Sequence, residues 1–167
     1  DLRLKAFDKF KEIGFPNKRW EEWQFTDFSL IKNSNFHLSW DYNLPTLPKT
    51  IPGRIQNTYL IFIVNGHYQS QLSDIPNEVS VAKGLEHFKS NPELYSIENS
   101  SNPFLSLNTS MMNSGLPIYI KENAIIEKPL QIVYLTTDLS EQLMNHPRFS
   151  FQIGKNSEAT IIEHYIG

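Results

Sequence analysis

Apolar and polar residues recur with two different periods along this chain, and the change of period falls within residues 102–134. Asn102 and Pro103 open a helix in the favoured way, a polar cap followed by a proline at the first turn, where a missing N–H is no loss. Phe104, Leu107 and Met111 follow at helical spacing, and Gly115 is read as the residue that stops the helix. From Ile118 the period is two: Ile118 and Ile120 share one face, Tyr119 and Lys121 the other. The rest of the chain is extended. Leu130, Ile132 and Tyr134 alternate with Gln131, Val133 and Leu135. Phe149, Phe151 and Ile153 alternate with Arg148, Ser150 and Gln152, and Ala159, Ile161 and Tyr165 with Thr160, Ile162 and His164.

The earlier residues predict helices first. Leu2, Ala6, Phe7, Phe10 and Ile13 make one face of a helix that Gly14 ends. Asn17 is placed to cap a second helix over residues 18–25, with Trp20 and Trp23 adjacent on it, and Thr26-Asp27 to cap a short turn around Leu30 and Ile31. Residues 33–58 show no period and hold Pro45, Pro48, Pro52 and Gly53, which reads as an irregular surface linker, in part disordered. YLIFIV at 59–64, Asn65-Gly66 and then HYQSQL form a hairpin signal, because Asn-Gly supplies the positive φ angles of a type I′ turn. Val79 to Ala82 add a short strand, and residues 85–89 and 92–97 add helical cover.

Turn-like breaks fall at Lys121-Glu122-Asn123, Asp138 to Asn145 and Gly154-Lys155-Asn156. IYI-KENAIIEKP and FQI-GKNSEATII share one shape: strand, charged turn with asparagine, strand. Short strands about ten residues apart suit a sandwich, a barrel or a stacked β-helix alike. The expected division is residues 1–58 as an N-terminal helical region and linker, 59–115 as a small α/β lobe, and 116–167 as a strand-rich end. An apolar strand runs up to Gly167 with no capping element, so the chain reads as the front of a longer protein whose exposed edge favours self-association.

Composition narrows the chemistry. The 167 residues carry 40% hydrophobic and 20% charged side chains, an ordinary globular balance, and a net charge of −3 argues against a nucleic-acid binder. No apolar run approaches a membrane span and no signal-peptide core is present, so the cytoplasm is the expected location. The absence of cysteine removes disulfides, thiolate metal sites and a cysteine nucleophile. His37, His67, His87, His146 and His164 are not at ligand spacing, and each reads as a surface or hydrogen-bonded residue. Gly154-Lys155-Asn156-Ser157 lacks the earlier glycine of a phosphate loop and reads as a turn. Glu122 with Glu127, and Glu158 with Glu163, are spaced to face opposite sides of a strand, so neither is an acid–base couple. Glu163 lies on an apolar face and is expected to bond Arg148. Trp20, Trp23 and Phe25 read as packing between helices rather than a base- or sugar-stacking platform. No catalytic, cofactor-binding or metal residue is assigned.

Several strings together resemble a known family. Arg3, Ala6, Phe10, GFP at 14–16, Arg19, Glu21-Glu22-Trp23 and Thr26-Asp27 are similar to the N-terminal signature of SufD-type iron–sulfur cluster assembly proteins, in the SufB/SufD family. FIVNGHYQSQL at 62–72 looks like that family's hairpin. Asn102-Pro103-Phe104 with Leu107-Asn108-Thr109, then Gly115, Ile118, Ile120 and Lys128-Pro129-Leu130, resemble its central segment. His146-Pro147-Arg148 and Asn156 to Glu163 resemble its first rungs. Met111-Met112 and Trp20 depart from the pattern in ways that bear on packing.

The resemblance implies a mixed, mainly β fold: N-terminal helices and a small α/β lobe leading into the first rungs of a right-handed parallel β-helix. It also implies a non-catalytic scaffold subunit of the SUF complex, with a SufB-like paralogue and a SufC-like ATPase as partners and no cofactor in this segment. The alternative is a carbohydrate-active β-helix of the polysaccharide lyase kind, which requires charges gathered on one sheet face.

Overall fold

The structure, a computed structural model, describes residues 2–38, 48–82, 84–97, 100–112, 114–137 and 142–167. Pro45 of the expected linker and residues 138–141 of the expected turn lie outside these residues. The fold is mixed α/β, with helices both before the first strands and, as Gly84–Ser90 (α3) and Pro103–Met111, in mid-chain, and with strands in largely parallel sheets.

Helix α1 (Leu2–Ile13) ends where predicted, the Gly14 N–H bonding the Phe10 carbonyl at 2.7 Å. It packs along α4 (Pro103–Met111), where Ala6 is fully buried. The Arg3 guanidinium donates to the Met112 carbonyl at 2.7 Å and so ties the start of α1 to the end of α4. Asn102 caps α4 as expected, its Oδ1 accepting from the Phe104 and Leu105 N–H groups. Between α1 and α4 in sequence comes α2 (Ser29–Asn33), entered through Asp27, whose Oδ1 accepts the Ser29 N–H at 2.9 Å.

The helix expected over residues 18–25 does not form. Asn17 Oδ1 takes the Arg19 N–H at 2.9 Å within a turn, and a single 3-10 turn, Glu21–Trp23, follows. The Trp23 ring packs against Phe28 and Phe104 at centroid distances of 5.4 and 5.3 Å. That tertiary anchoring outweighs helix propensity worth a few tenths of a kcal/mol per residue.

The remaining strands are β1 (His37–Leu38), β2 (Tyr59–Val64), β3 (His67–Tyr68), β4 (Val79–Val81), β5 (Ser114–Ile120), β6 (Leu130–Leu135), β7 (Leu143–Met144), β8 (Pro147–Ile153) and β9 (Ile161–Ile166). One sheet has the order β3-β2-β6-β9, a second β4-β5-β8, and β1 pairs with β7. The β2–β3 hairpin turns on Asn65 (φ 47°) and Gly66 (φ 86°), the expected primed turn. All other pairings are parallel except β4 with β5. β6 lies between β2 and β9, so Tyr59, Leu130 and Ile161 form one column, and Ile61, Ile132 and Glu163 the next. In the other sheet Phe149 lies opposite Leu116 and Phe151 opposite Ile118. The strand-rich end is thus paired in parallel, as an antiparallel sandwich is not.

The corners repeat as well. Asn123 (φ 59°) and Asn156 (φ 58°) occupy equivalent turns 33 residues apart, and the Asn156 amide donates to Asn123 Oδ1 at 3.1 Å. The Ile126 N–H bonds the Glu158 carbonyl and the Glu158 N–H the Ala124 carbonyl, both at 2.9 Å. Gly154 to Ser157 is the turn expected of it, closed from the Ser157 N–H to the Gly154 carbonyl.

A core of Ile61, Ile118, Leu130 and Ile132, each at most 0% exposed, fills the space between the two main sheets. Each such side chain contributes ~1.5–3 kcal/mol of burial. The opposite face of the first sheet is also covered: Leu60, Phe62, Val64, Val133 and Leu135 are buried against Ile51 and Leu72. Burial on both faces is why YLIFIV and LQIVYL read as near-continuous apolar runs.

Two expectations require correction. Gly115 does not stop α4; it lies in β5 opposite Arg148, and Met112 (φ −51°, ψ 112°) takes the chain out of the helix. A Cβ on Gly115 would meet the Arg148 carbonyl oxygen at 2.2 Å, so glycine is there to let β5 and β8 approach. Of the expected linker, Asn33 ends α2, His37–Leu38 form β1, and residues 48–58 are a strap held by Gln131. This fully buried amide donates to the Gly53 carbonyl at 2.7 Å and accepts the Ile55 N–H at 2.9 Å. Arg54 braces the strap by donating to the Thr58 and Tyr59 carbonyls at 2.6 and 3.2 Å.

Candidate functional site

Two surfaces stand out, one at each end of the molecule. At the helical end, Phe28, Trp23, Phe15 and Phe104 form a chain of ring contacts that fixes the first 33 residues to α4. The expected packing role is therefore right for Trp23. It is wrong for Phe25, which is 94% exposed at the tip of the same turn. A groove of about 620 Å³ runs beside it, between residues 20–23 and 100–103.

At the other end, β8 and β9 are the outermost strands of the two sheets. Glu163 points from β9 towards the space between the sheets but does not meet Arg148. Instead it accepts the Tyr134 hydroxyl at 2.7 Å, while Arg148 Nη1 donates to Asn108 and Thr109, both at 3.4 Å. The register explains this: Glu163 lies opposite Ile132, one inward position from Tyr134, whereas Arg148 alternates to the far face of β8 from Phe149. Tyr165 stacks flat on Tyr134, with centroids 4.2 Å apart and planes 2° apart. Burial, then the bond to Glu163, pushes the Tyr134 hydroxyl far above the ordinary phenol range. The stacked pair borders a cleft of about 280 Å³ that Thr136 and Asn145 also line. Sequence reasoning missed this Tyr134–Glu163–Tyr165 group. Its one signal was a carboxylate on an otherwise apolar strand face.

The histidines are dispersed. His87 Nδ1 shares a hydrogen bond of 2.9 Å with the Tyr95 hydroxyl, and His164 Nδ1 donates to the Gly53 carbonyl at 3.1 Å. His146 is largely buried, which pushes its imidazole below the usual range. His37 opens β1 and His67 opens β3. No group of three or more His, Asp or Glu side chains comes together among the described residues. Nor is any described helix long and apolar enough to cross a membrane.

Residues 1–132 match the family described as the SufBD protein N-terminal region. The chain belongs to the SufBD family. It is 28% identical, over 98% of its length, to an iron–sulfur cluster assembly SufBD family protein of Synechocystis sp.. It is 26% identical, over 92% of its length, to the iron–sulfur cluster assembly protein SufD of Escherichia coli. It spans 38% and 36%, respectively, of those two relatives.

The strings that carry the SufBD resemblance hold specific places in the fold. Glu21-Glu22-Trp23 is the 3-10 turn whose tryptophan anchors the N-terminal region. The Asn65-Gly66 hairpin closes the first parallel layer, the Asn65 amide donating to Thr137 Oγ1 at 3.2 Å and its Oδ1 accepting the Thr137 N–H at 2.8 Å. Asn108, from the central string, donates to the Pro147 carbonyl at 3.0 Å and so fastens α4 to β8. Asn65 and Asn108 therefore each join two elements of the fold.

Proposed function

We propose that this SufBD chain is a non-catalytic scaffold segment of a SUF iron–sulfur cluster assembly complex. Its stacked strands form the opening coils of a right-handed parallel β-helix. The observation that carries this reading is the repeat: β5 to β8 and β6 to β9 advance in parallel register, with the Asn123 and Asn156 corners stacked on each other. A stack of that kind offers backbone edges and rigid faces to other proteins.

The partners are a SufB-like paralogue, engaged through the stacked strands, and a SufC-like ATPase, engaged through parts of the full-length protein outside this chain. Iron and sulfide are the complex's cargo. Cluster iron is held chiefly by thiolates, and this chain has no cysteine. His37, His67, His87 and His164 lie in four different elements, and His146 lies between β7 and β8. The complex acts in the cytoplasm.

Anaerobic reconstitution with iron and sulfide, followed by visible absorbance and metal analysis, tests the assignment. The expected result is no stoichiometric chromophore on this chain. A bound cluster would overturn it, with His146 and His164 the first residues to replace.

A further inference from the structure

The scaffold reading says that the chain acts through contacts but leaves open where a partner meets the helical end. The turn at residues 21–27 is built rigidly around an exposed tip. Trp23 is clamped between Phe28 and Phe104, and its carbonyl accepts the Thr26 N–H at 3.0 Å. The facing wall of the groove is equally fixed, since Asn102 caps α4 and its own N–H bonds Ser100 Oγ at 3.1 Å. On this rigid base Phe25 is 94% exposed, and Leu30 and Ile31 nearby are 78% and 43% exposed. A preorganised aromatic knob standing in water is the form that binding anchors take.

The charge around the knob is selective. Glu21 and Glu22 are exposed on the groove wall, and neither forms an ion pair among the described residues. Of the cations near this turn, Lys32 lies over the Phe15 ring at 5.6 Å, Lys18 and Lys32 both act on Asp27, and Arg19 is exposed. Among the described residues no cation lines the groove itself. A pair of carboxylates beside an apolar knob favours a partner that brings positive charge to it.

We propose that the Phe25 knob, with Glu21 and Glu22 beside it, docks a protein partner that presents an apolar socket rimmed by lysine or arginine. The proposal rests on the scaffold reading and adds to it a contact surface on the turn at residues 21–27. Phe25 fills the socket, and the two carboxylates meet the basic rim and set orientation and encounter rate.

The test uses the full-length protein in its native host. A photo-crosslinking phenylalanine analogue is placed at position 25 and, separately, at Ile125, a 70% exposed residue on the stacked strands. The adducts are identified by peptide mass spectrometry. The expected result is one dominant intermolecular adduct from position 25, to a peptide holding at least two lysines or arginines. Its yield should fall about tenfold in the Glu21→Lys/Glu22→Lys double variant and also in about 0.5 M salt.

Circular dichroism of that variant should be unchanged, because both residues are solvent-facing. An adduct only within the same chain, an adduct to an acidic peptide, or a yield indifferent to charge reversal would overturn the proposal. Co-purification of the SufB-like paralogue separates the two readings. If it persists in Phe25→Ala while position 25 yields no intermolecular adduct, the docking surface is wrong and the scaffold stands. If the unaltered protein co-purifies with no SUF component, the scaffold reading itself fails.

Discussion

Replacing Gln131 by leucine removes the one polar side chain buried within β6 while nearly preserving its volume. Three consequences follow from the geometry. The Ile55 N–H, bonded to Gln131 Oε1 at 2.9 Å, loses its acceptor. The Gly53 carbonyl loses its 2.7 Å donor but keeps His164 Nδ1 at 3.1 Å. Arg54 and Thr58 lose longer contacts of 3.3 Å to the same oxygen, yet both retain backbone partners in the strap.

A part-buried N–H left without its acceptor costs ~1–3 kcal/mol, and the lost bond to Gly53 adds about 1 kcal/mol. Water reaching the half-open strap and the added apolar contact of leucine offset about half of this, so the net loss is about 2 kcal/mol. In a chain of this size that corresponds to a fall in Tm of about 5 °C. Urea melts measure the global value, and amide hydrogen exchange at Ile55 measures the local one. The strap should open well before β6 does, whereas Gln131→Glu, which keeps the acceptor and faces Arg54, should lose less. Unchanged exchange at Ile55 with an undiminished urea midpoint in Gln131→Leu would refute the view that this amide fastens the strap.

Other consequences are equally open to measurement. Gly115→Ala forces a Cβ into the Arg148 carbonyl, so β5 and β8 must separate; a loss of ~3 kcal/mol or more, or no soluble protein, is expected in chemical melts. The Tyr134 hydroxyl has a raised folded-state pKa, so the native state holds a proton that the unfolded chain releases near pH 10. Stability is therefore complete below that pH and declines as pH rises above it. The decline should be shallower in Tyr134→Phe, which removes the titrating group, as read by melts between pH 8 and about 11. The open edges of β8 and β9, with Ile153 and Tyr165 more than half exposed, should make this 167-residue chain self-associate with rising concentration. Ile162→Lys should suppress that in sedimentation velocity, and a clean monomer for both proteins at high concentration would count against it.

What was legible in the sequence was local. Asn65-Gly66 and Asn102-Pro103 each encode their structure within four residues, and both behave as read. The alternation in residues 118–166 gave the strands and, through Asn123 and Asn156, their repeated corners. Pairing itself was open, since a parallel partner lies some 33 residues away and nothing local names it. The failures share that cause. Gly115 has the spacing of a helix stop, but its reason is the Arg148 backbone across the sheet. Residues 18–25 have helical residues at helical spacing, yet Trp23 answers to Phe104 from another element. Glu163 was matched with a cation by charge, whereas register gave it Tyr134. Gln131 sat unremarked in an apolar strand, where a fully buried amide signals that something polar lies over that face.

The central claim is that the chain belongs to an assembly and works through contacts. Native mass spectrometry of the full-length protein, purified without oxygen from its own host, tests it most directly. The account predicts a discrete complex that contains a SufB-like paralogue and a SufC-like ATPase. A full-length protein that runs alone as a monomer, with bound iron and sulfide of its own, would contradict it.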